Sequence, residues 1–287
     1  MSKPIILLTG KNGQLGNELQ LLAIQYPQYH FEFTDVEELD ITDKEKVDIF
    51  FAENKPVACI NAAAYTAVDK AETDRELSMK INADAVGILA ENCNKYGTRF
   101  IHISTDYVFD GTAAQPYSED YPVNPVNYYG LTKLKGEEHA IANNPSSIII
   151  RTSWVYSFFG NNFVKTMLRL MKERDALNVV SDQYGSPTYA ADLAETIMNI
   201  VVSSNAPAGI YNYSNEGNIS WFDFAKEIRN IAGLTCTINP VNTVGYPTPA
   251  KRPAYSVLDK QKIISTFDIN TIPWEISLRK CIDLLHQ

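Results

Sequence analysis

Ile5-Ile6-Leu7-Leu8-Thr9-Gly10-Lys11-Asn12-Gly13-Gln14-Leu15-Gly16 is an apolar run that stops at three glycines spaced three apart. The run reads as a buried strand, and Leu15, Leu19, Leu22 and Ala23 then recur at helical spacing over residues 14–25. Gly10 permits the tight turn, and Gly13 lets the backbone approach a pyrophosphate. Gly16 lets the helix pack close to the strand, with the helix's free N–H groups facing the anion. The same spacing would serve a plain strand–helix turn, but a strand before it and a helix after it favour a dinucleotide loop.

Outward from this loop the alternation continues. Strands are expected at 31–35, 57–61, 99–104 and 147–151, with helices at 42–53 (capped by Thr42, with Glu45 three residues on), 74–96 and 129–143. Strands that are continuously apolar and joined by helices imply a parallel sheet covered on both faces and wound right-handed. The expected fold is therefore α/β, a Rossmann-like doubly wound domain over residues 1–150. Ligands of such sheets bind beyond the carboxyl ends of the strands, where Gly10, Asp35, Asn61 and Ser104-Thr105 all fall. After Arg151 helical patterns at 162–174, 188–203, 221–232 and 274–285 are separated by stretches rich in Pro, Asn, Thr and Tyr. Residues 151–287 thus read as a smaller, mostly α substrate lobe packed on the first. Residues 177–182 are expected to extend the sheet, and the segment from about 177 to 203 to return to the first domain.

With 287 residues the chain can bury a full core, and 45% hydrophobic with 21% charged residues is ordinary for a globular protein. A net charge of -9 argues against nucleic acid or an anionic membrane surface as the main partner. The N-terminus lacks signal-peptide architecture and no apolar run is long enough to span a bilayer, so the cytoplasm is the expected address. Cys59, Cys93, Cys236 and Cys281 match no metal or redox spacing and read as small core hydrophobes.

Tyr129 and Lys133 stand one helical turn apart, which puts a phenol and an ammonium on one face. A fixed cation favours the phenolate and makes the phenol a better acid near neutral pH. Thr105, at the preceding strand end, can bind the same carbonyl oxygen, whereas Tyr128 is five residues from Lys133 and poorly aligned. A nucleotide loop with a tuned proton donor is what hydride transfer at a carbonyl requires. Asp35 either holds the adenosine ribose hydroxyls, favouring NADH over NADPH, or is a solvated turn residue. Asp40-Ile41 line the adenine site or end a loop, and Asn61-Ala62-Ala63-Ala64-Tyr65 offers small side chains for a passing dinucleotide or for tight packing. Trp154 stacks on a sugar or belongs to the core. Lys251 and Arg252 meet a substrate phosphate or form a surface pair. His102, among apolar neighbours, reads as structural, and Ser104 has no placed histidine base.

Taken together these segments resemble the extended short-chain dehydrogenase/reductase superfamily. Its dTDP-4-dehydrorhamnose reductase family is matched nearly end to end. The glycine loop and the Tyr/Lys pair mark the superfamily. Asn61-Ala62-Ala63-Ala64-Tyr65-Thr66, Ser104-Thr105-Asp106-Tyr107-Val108-Phe109 and Arg151-Thr152-Ser153-Trp154 mark the narrower family. Gly160-Asn161-Asn162-Phe163, Asp182-Gln183-Tyr184-Gly185-Ser186-Pro187-Thr188 and Pro247-Thr248-Pro249-Ala250-Lys251-Arg252-Pro253 extend the match. The resemblance implies NADPH- or NADH-dependent reduction of the 4-keto group of a dTDP-linked 4-keto-6-deoxy sugar. By matching positions, Thr105, Asp106, Tyr129 and Trp154 would contact the sugar nucleotide. Gly13, Gln14, Leu15, Asp35, Asp40, Ile41, Ala64, Tyr65, Thr66, Tyr129 and Lys133 would hold the dinucleotide. Tyr129 would donate the proton, Lys133 would bind the nicotinamide ribose and depress the phenol's pKa, and Thr105 would orient the carbonyl. Some relatives look like homodimers bridged by Mg2+. Glu18 matches one bridging carboxylate, but Ala191 stands where a second is expected. A 4-epimerase of the same superfamily, or a non-catalytic regulatory subunit of the methionine adenosyltransferase beta type, are the alternatives. The intact Thr105, Tyr129 and Lys133 argue against the second.

Overall fold

The computed structural model of the chain describes residues 3–286. Six parallel strands form the central sheet: β1 (Ile5–Thr9), β2 (His30–Thr34), β3 (Ala58–Asn61), β4 (Arg99–Thr105), β5 (Ile148–Thr152) and β6 (Gly209–Asn212). Their order is β6-β5-β4-β3-β1-β2, so the winding reverses at β1, whose neighbours β2 and β3 lie on opposite sides. That reversal opens a crevice at the carboxyl ends of the strands.

Successive side chains point to opposite sides of the sheet, and the inner strands β1, β3, β4 and β5 carry apolar residues on both faces, whereas β2 at the edge places His30 and Glu32 on one of its faces. Ile6, Leu8, Ile60, Ile101 and Ile150 pack on one side against Leu19 of the helix Gln14–Ala23 and Leu193 and Ile197 of the helix Ala190–Val202. Leu7, Cys59, Phe100 and Ile149 pack on the other, against Val47 and Phe51 of Lys44–Asn54 and Leu89 and Cys93 of Ala85–Tyr96. Arg99 pins β4 to the helix Ala190–Val202. Its guanidinium donates to the carbonyls of Ile200 at 3.0 Å and Ser203 at 2.9 Å, placing a cation at the helix's negative end. A second core, with Val164, Met167, Phe224, Ile228, Leu278 and Ile282, sits among the helices Phe163–Glu173, Trp221–Ile231 and Trp274–Leu285.

Three expectations are corrected. Residues 177–182 do not extend the sheet: Ala176–Val180 pairs in parallel with Thr237–Val241 in a separate ribbon. The ribbon is apolar on one side only, with Leu177 and Val179 turned into the second core. The sixth place goes to β6, whose Tyr211 and Ile210 feed opposite cores, as a strand covered on both faces must. Asp43, not Thr42, caps the second helix. Its carboxylate accepts from Lys46 N at 3.2 Å, while the Thr42 hydroxyl donates to Asp40. The long helix expected over 74–96 is broken into Arg75–Met79, a π turn at Lys80–Asp84 and Ala85–Tyr96. The π turn aims Asn82 at the third strand's exit loop, where its amide accepts from Tyr65 N at 2.8 Å and donates to Tyr65 O at 3.0 Å. Such bulges re-aim one side chain at the cost of helix regularity. All four cysteines are buried and free. No helix among the described residues is long and apolar enough to cross a membrane.

Candidate active site

The glycine loop is as tight as its sequence suggested. Gly10 has φ +74°, and a Cβ there would lie 2.6 Å from Ala63 N. A Cβ on Gly16 would strike the Gly10 carbonyl oxygen and lie 2.7 Å from Lys11 Cα. Gly10 therefore holds the left-handed turn, and Gly16 lets the first turn of the helix slide under the loop. Asp35 accepts from the backbone N–H of Asn12 at 3.1 Å and of Val36 at 2.9 Å, which ties the end of β2 to the loop. Lys11 pairs with Glu38 at 2.5 Å, and the other Glu38 oxygen accepts from Asp35 N at 2.9 Å.

Beside the loop lies a cavity of about 400 Å³ whose walls include Gly10, Gly13, Asp35, Asp40, Ile41 and Ala64. A second cavity of about 340 Å³ is lined by Gln14, Ala64, Thr66, Thr105, Asp106, Tyr129, Lys133 and Trp154, among others. Ala62 and Ala64 line both, so the two form one trough across the strand ends. The small side chains after β3 are what keep it continuous.

At its far end, Thr105 leaves β4 and Tyr129 and Lys133 rise from the helix Tyr128–Asn143, which Asn127 caps by accepting from Gly130 N at 2.8 Å. A Cβ on Gly130 would meet the Tyr107 carbonyl oxygen, so glycine brings this helix against the loop after β4. Burial pushes the Tyr129 phenol up to about 12, against an opposing hydrogen bond from Thr105 and with a further push from Asp106. The expected depression of this pKa by Lys133 is therefore corrected. The lysine ammonium is aimed instead at the Ile103 carbonyl, 2.6 Å away. Burial brings Lys133 down to about 8, with Glu137 opposing. Asp106 is buried and pushed up to about 6 by desolvation, with the hydroxyls of Ser256 and of Thr105, which donates to one carboxylate oxygen at 2.9 Å, opposing the shift.

Trp154 has φ +47°, a strained conformation for a bulky residue. Its indole lies flat on Trp221, centroids 3.5 Å apart, and a Cβ on Gly185 would lie 2.7 Å from it. It therefore belongs to the cavity wall and to the second core's edge at once. Trp221 escaped the sequence reading, since nothing local links it to residue 154. So did the ion pair beneath the site: Arg151 donates to both oxygens of Glu137, at 2.9 and 2.6 Å, and Ser104 donates to one of them at 2.5 Å.

Some candidates lie outside the two cavities. Leu15 and Gly16 pack beneath the loop, and Tyr65 donates its hydroxyl to Asp74 at 2.7 Å. Arg252 is held by both oxygens of Asp69 at 3.0 Å, so its guanidinium is not an uncommitted cation. Glu18 is buried, accepts the Ser157 hydroxyl at 2.6 Å, and is pushed upward by desolvation. Among the described residues no cluster of three or more His, Cys, Asp or Glu side chains is placed to hold a metal.

Comparison with known proteins gives one consistent result. The family model described as "RmlD substrate binding domain" matches residues 4–287. A dTDP-4-dehydrorhamnose reductase from Aggregatibacter actinomycetemcomitans is 41% identical, covering 96% of this chain and 97% of that protein. The crystal structure of a Clostridium acetobutylicum dTDP-4-dehydrorhamnose reductase superposes with a TM-score of 0.94 at 45% identity, over 99% of this chain and all (100%) of that one. That of the Bacillus anthracis enzyme in complex with NADP gives 0.94 at 38% identity, over 99% and 100%.

Proposed function

The chain belongs to the RmlD substrate-binding-domain family, and on that premise we propose that it is a dTDP-4-dehydrorhamnose reductase. It reduces the 4-keto group of dTDP-4-dehydro-L-rhamnose to give dTDP-L-rhamnose, with NADPH or NADH as reductant. The observation that carries this reading is the single trough joining the glycine loop to Thr105, Tyr129 and Lys133. The loop fits a dinucleotide: it is closed to any Cβ at Gly10 and Gly16 and presents a helix N-terminus where a pyrophosphate passes.

When bound, the nicotinamide supplies hydride to C4 of the sugar. Thr105 orients the carbonyl oxygen. Tyr129 gives that oxygen a proton, which burial keeps on the phenol through neutral pH. A developing alkoxide is far more basic than a phenolate, so the raised pKa does not prevent the transfer. Lys133 holds the nicotinamide ribose, Asp106 offers a carboxylate oxygen to a sugar hydroxyl, and Trp154 covers a sugar face. Residues 1–150 serve mainly the coenzyme and the later segments mainly the sugar nucleotide, in the cytoplasm.

The test follows NADPH and NADH absorbance with dTDP-4-dehydrorhamnose, using UDP- and GDP-linked ketosugars as controls. Stoichiometric coenzyme oxidation with the dTDP sugar is expected. Interconversion of sugars without net oxidation would replace this reading with the epimerase one.

A further inference from the structure

Behind Lys133 three polar side chains are sealed from solvent: Thr9, Asn61 and His102, at 1%, 0% and 0% exposure. They occupy one rung of the sheet, since Thr9 pairs with Asn61 across β1 and β3, and Asn61 with His102 across β3 and β4. The Thr9 hydroxyl lies 2.8 Å from Asn61 Oδ1, the Asn61 Nδ2 lies 3.1 Å from His102 Nδ1, and His102 Nε2 lies 3.4 Å from Lys133 Nζ. Phe100 stacks on the imidazole at 6.3 Å and 17°. Gly136 packs beside it, where a Cβ would make only ordinary contact with Nε2, at 3.5 Å, but would strike the Asn82 carbonyl oxygen.

A buried imidazole needs a partner at each nitrogen, and Lys133 is the one neighbour bonded to Nε2. An ammonium has only donors. While Lys133 is charged, Nε2 must therefore be the lone-pair nitrogen and Nδ1 must carry the proton. Asn61 then turns its amide oxygen to Nδ1 and its NH2 to the Thr9 hydroxyl, a rotation that exchanges two atoms of equal size. With the amide the other way round, Nε2–H would face the lysine's own N–H groups. That arrangement is satisfied only by a neutral amine.

We propose that His102 is a positioning residue for Lys133, its Nε2 accepting one ammonium N–H while the Ile103 carbonyl accepts a second, so that the third points into the trough. Asn61 and Thr9 fix the tautomer that makes this acceptance compatible with a charged lysine. The inference rests on the reading of Lys133 as the coenzyme-facing cation. Glu137, one turn after it and already engaged by Arg151 and Ser104, is the charged group that acts on that ammonium, and Tyr129, one turn before it, lines the same cavity. Removing the Nε2 acceptor leaves a buried cation with an unpaired donor, which penalises the charged form and lowers the pH at which Lys133 loses its proton.

The experiment measures NADPH and NADH dissociation constants by fluorescence between pH 6 and 9.5 for the full chain, His102→Leu and His102→Gln. In His102→Leu the alkaline loss of binding is expected about one pH unit lower, so that affinity falls about fivefold at pH 8 and about tenfold at pH 9, with little change at pH 6.5. His102→Gln, which returns an amide oxygen, should move the limb back. An equal loss at every pH, or an unmoved limb in a variant whose melting is cooperative, would overturn the proposal. A measurement on the unaltered protein covers the case of a variant that does not fold. The imidazole 15N shifts at pH 6.5 without coenzyme should report Nδ1 protonated and Nε2 bare; the opposite tautomer overturns the proposal. If coenzyme binding shows no alkaline limb while the tautomer is as stated, it is the reading of Lys133 that fails and not the role of His102.

Discussion

The two ends of the trough handle charge in opposite ways. At the glycine loop the ion pair Lys11–Glu38 is partly open to water, with side chains 24% and 43% exposed. At the far end Arg151 and Glu137 are both 2% exposed, and Lys133 is sealed with them. An exposed pair is screened and costs side-chain freedom, so it shapes the local field more than it stabilises the fold. A buried pair has left water behind and holds only while every donor and acceptor is matched. The glycine-loop end should therefore tolerate change, and the end that holds Arg151 and Glu137 should not.

Four outcomes would break or sharpen that contrast. The largest effect expected is on turnover. Tyr129→Phe removes the proposed proton donor and should lower kcat by roughly 10²–10⁴-fold while dinucleotide affinity, read by fluorescence titration, barely moves. Turnover at the level of the unaltered protein would remove the phenol from its assigned role.

Next comes Arg151→Met, which leaves the Glu137 carboxylate buried beside Ser104 without its cation. Chemical denaturation should register a loss of about 3–5 kcal/mol. A loss below 1 kcal/mol would show that water reaches the pair.

Lys133→Met should act in the other direction. Burial holds the lysine at about 8 in the folded chain against 10.5 for the unperturbed group. Below pH 8 both states carry the proton, and the folded state bears the full desolvation penalty. Between about pH 8 and 10.5 the unfolded chain binds more protons than the folded one, so the penalty fades as pH rises through that window. The methionine variant's stability relative to the unaltered protein should therefore be highest near pH 7 and fall by roughly 3 kcal/mol toward pH 10.5. It should also bind coenzyme poorly. A gap that widens with pH would mean that the lysine is not desolvated.

The smallest change is expected from Glu38→Gln at the glycine-loop end. It should leave the melting temperature nearly unchanged, because an exposed pair is screened by solvent. Freed from Glu38, Lys11 would add positive potential beside Asp35, so the ratio of NADPH to NADH affinity should rise modestly. A large fall in melting temperature would show that the pair is far less solvated than its exposure indicates.

Much of the architecture was legible because it is written in short periods. Alternating apolar strands and 3.6-residue helices marked five of the six sheet strands and the helices between them, and the loop at Gly10 announced itself by three glycines. Residues 177–182 misled because a one-sided strand and a two-sided strand differ in what covers them, which a five-residue pattern hardly records. Thr42 misled because it and Asp43 are both good caps, and a bond from Thr42 to Asp40 decided between them. The electrostatics of the site were least legible. A lysine one turn from a tyrosine suggests a depressed phenol pKa, yet Tyr129 rises, because desolvation outweighs a cation that is aimed at Ile103.

By itself the sequence determined which stretches become strand or helix, where the chain can turn tightly, and which residue types stand at strand ends. These depend on near neighbours along the chain. Only the tertiary structure decided that Thr9, Asn61 and His102, 52 and 41 residues apart, share one rung, or that Trp154 lies on Trp221. Strand order and register bring such residues together, and burial then sets their charge, through contacts that no local pattern encodes.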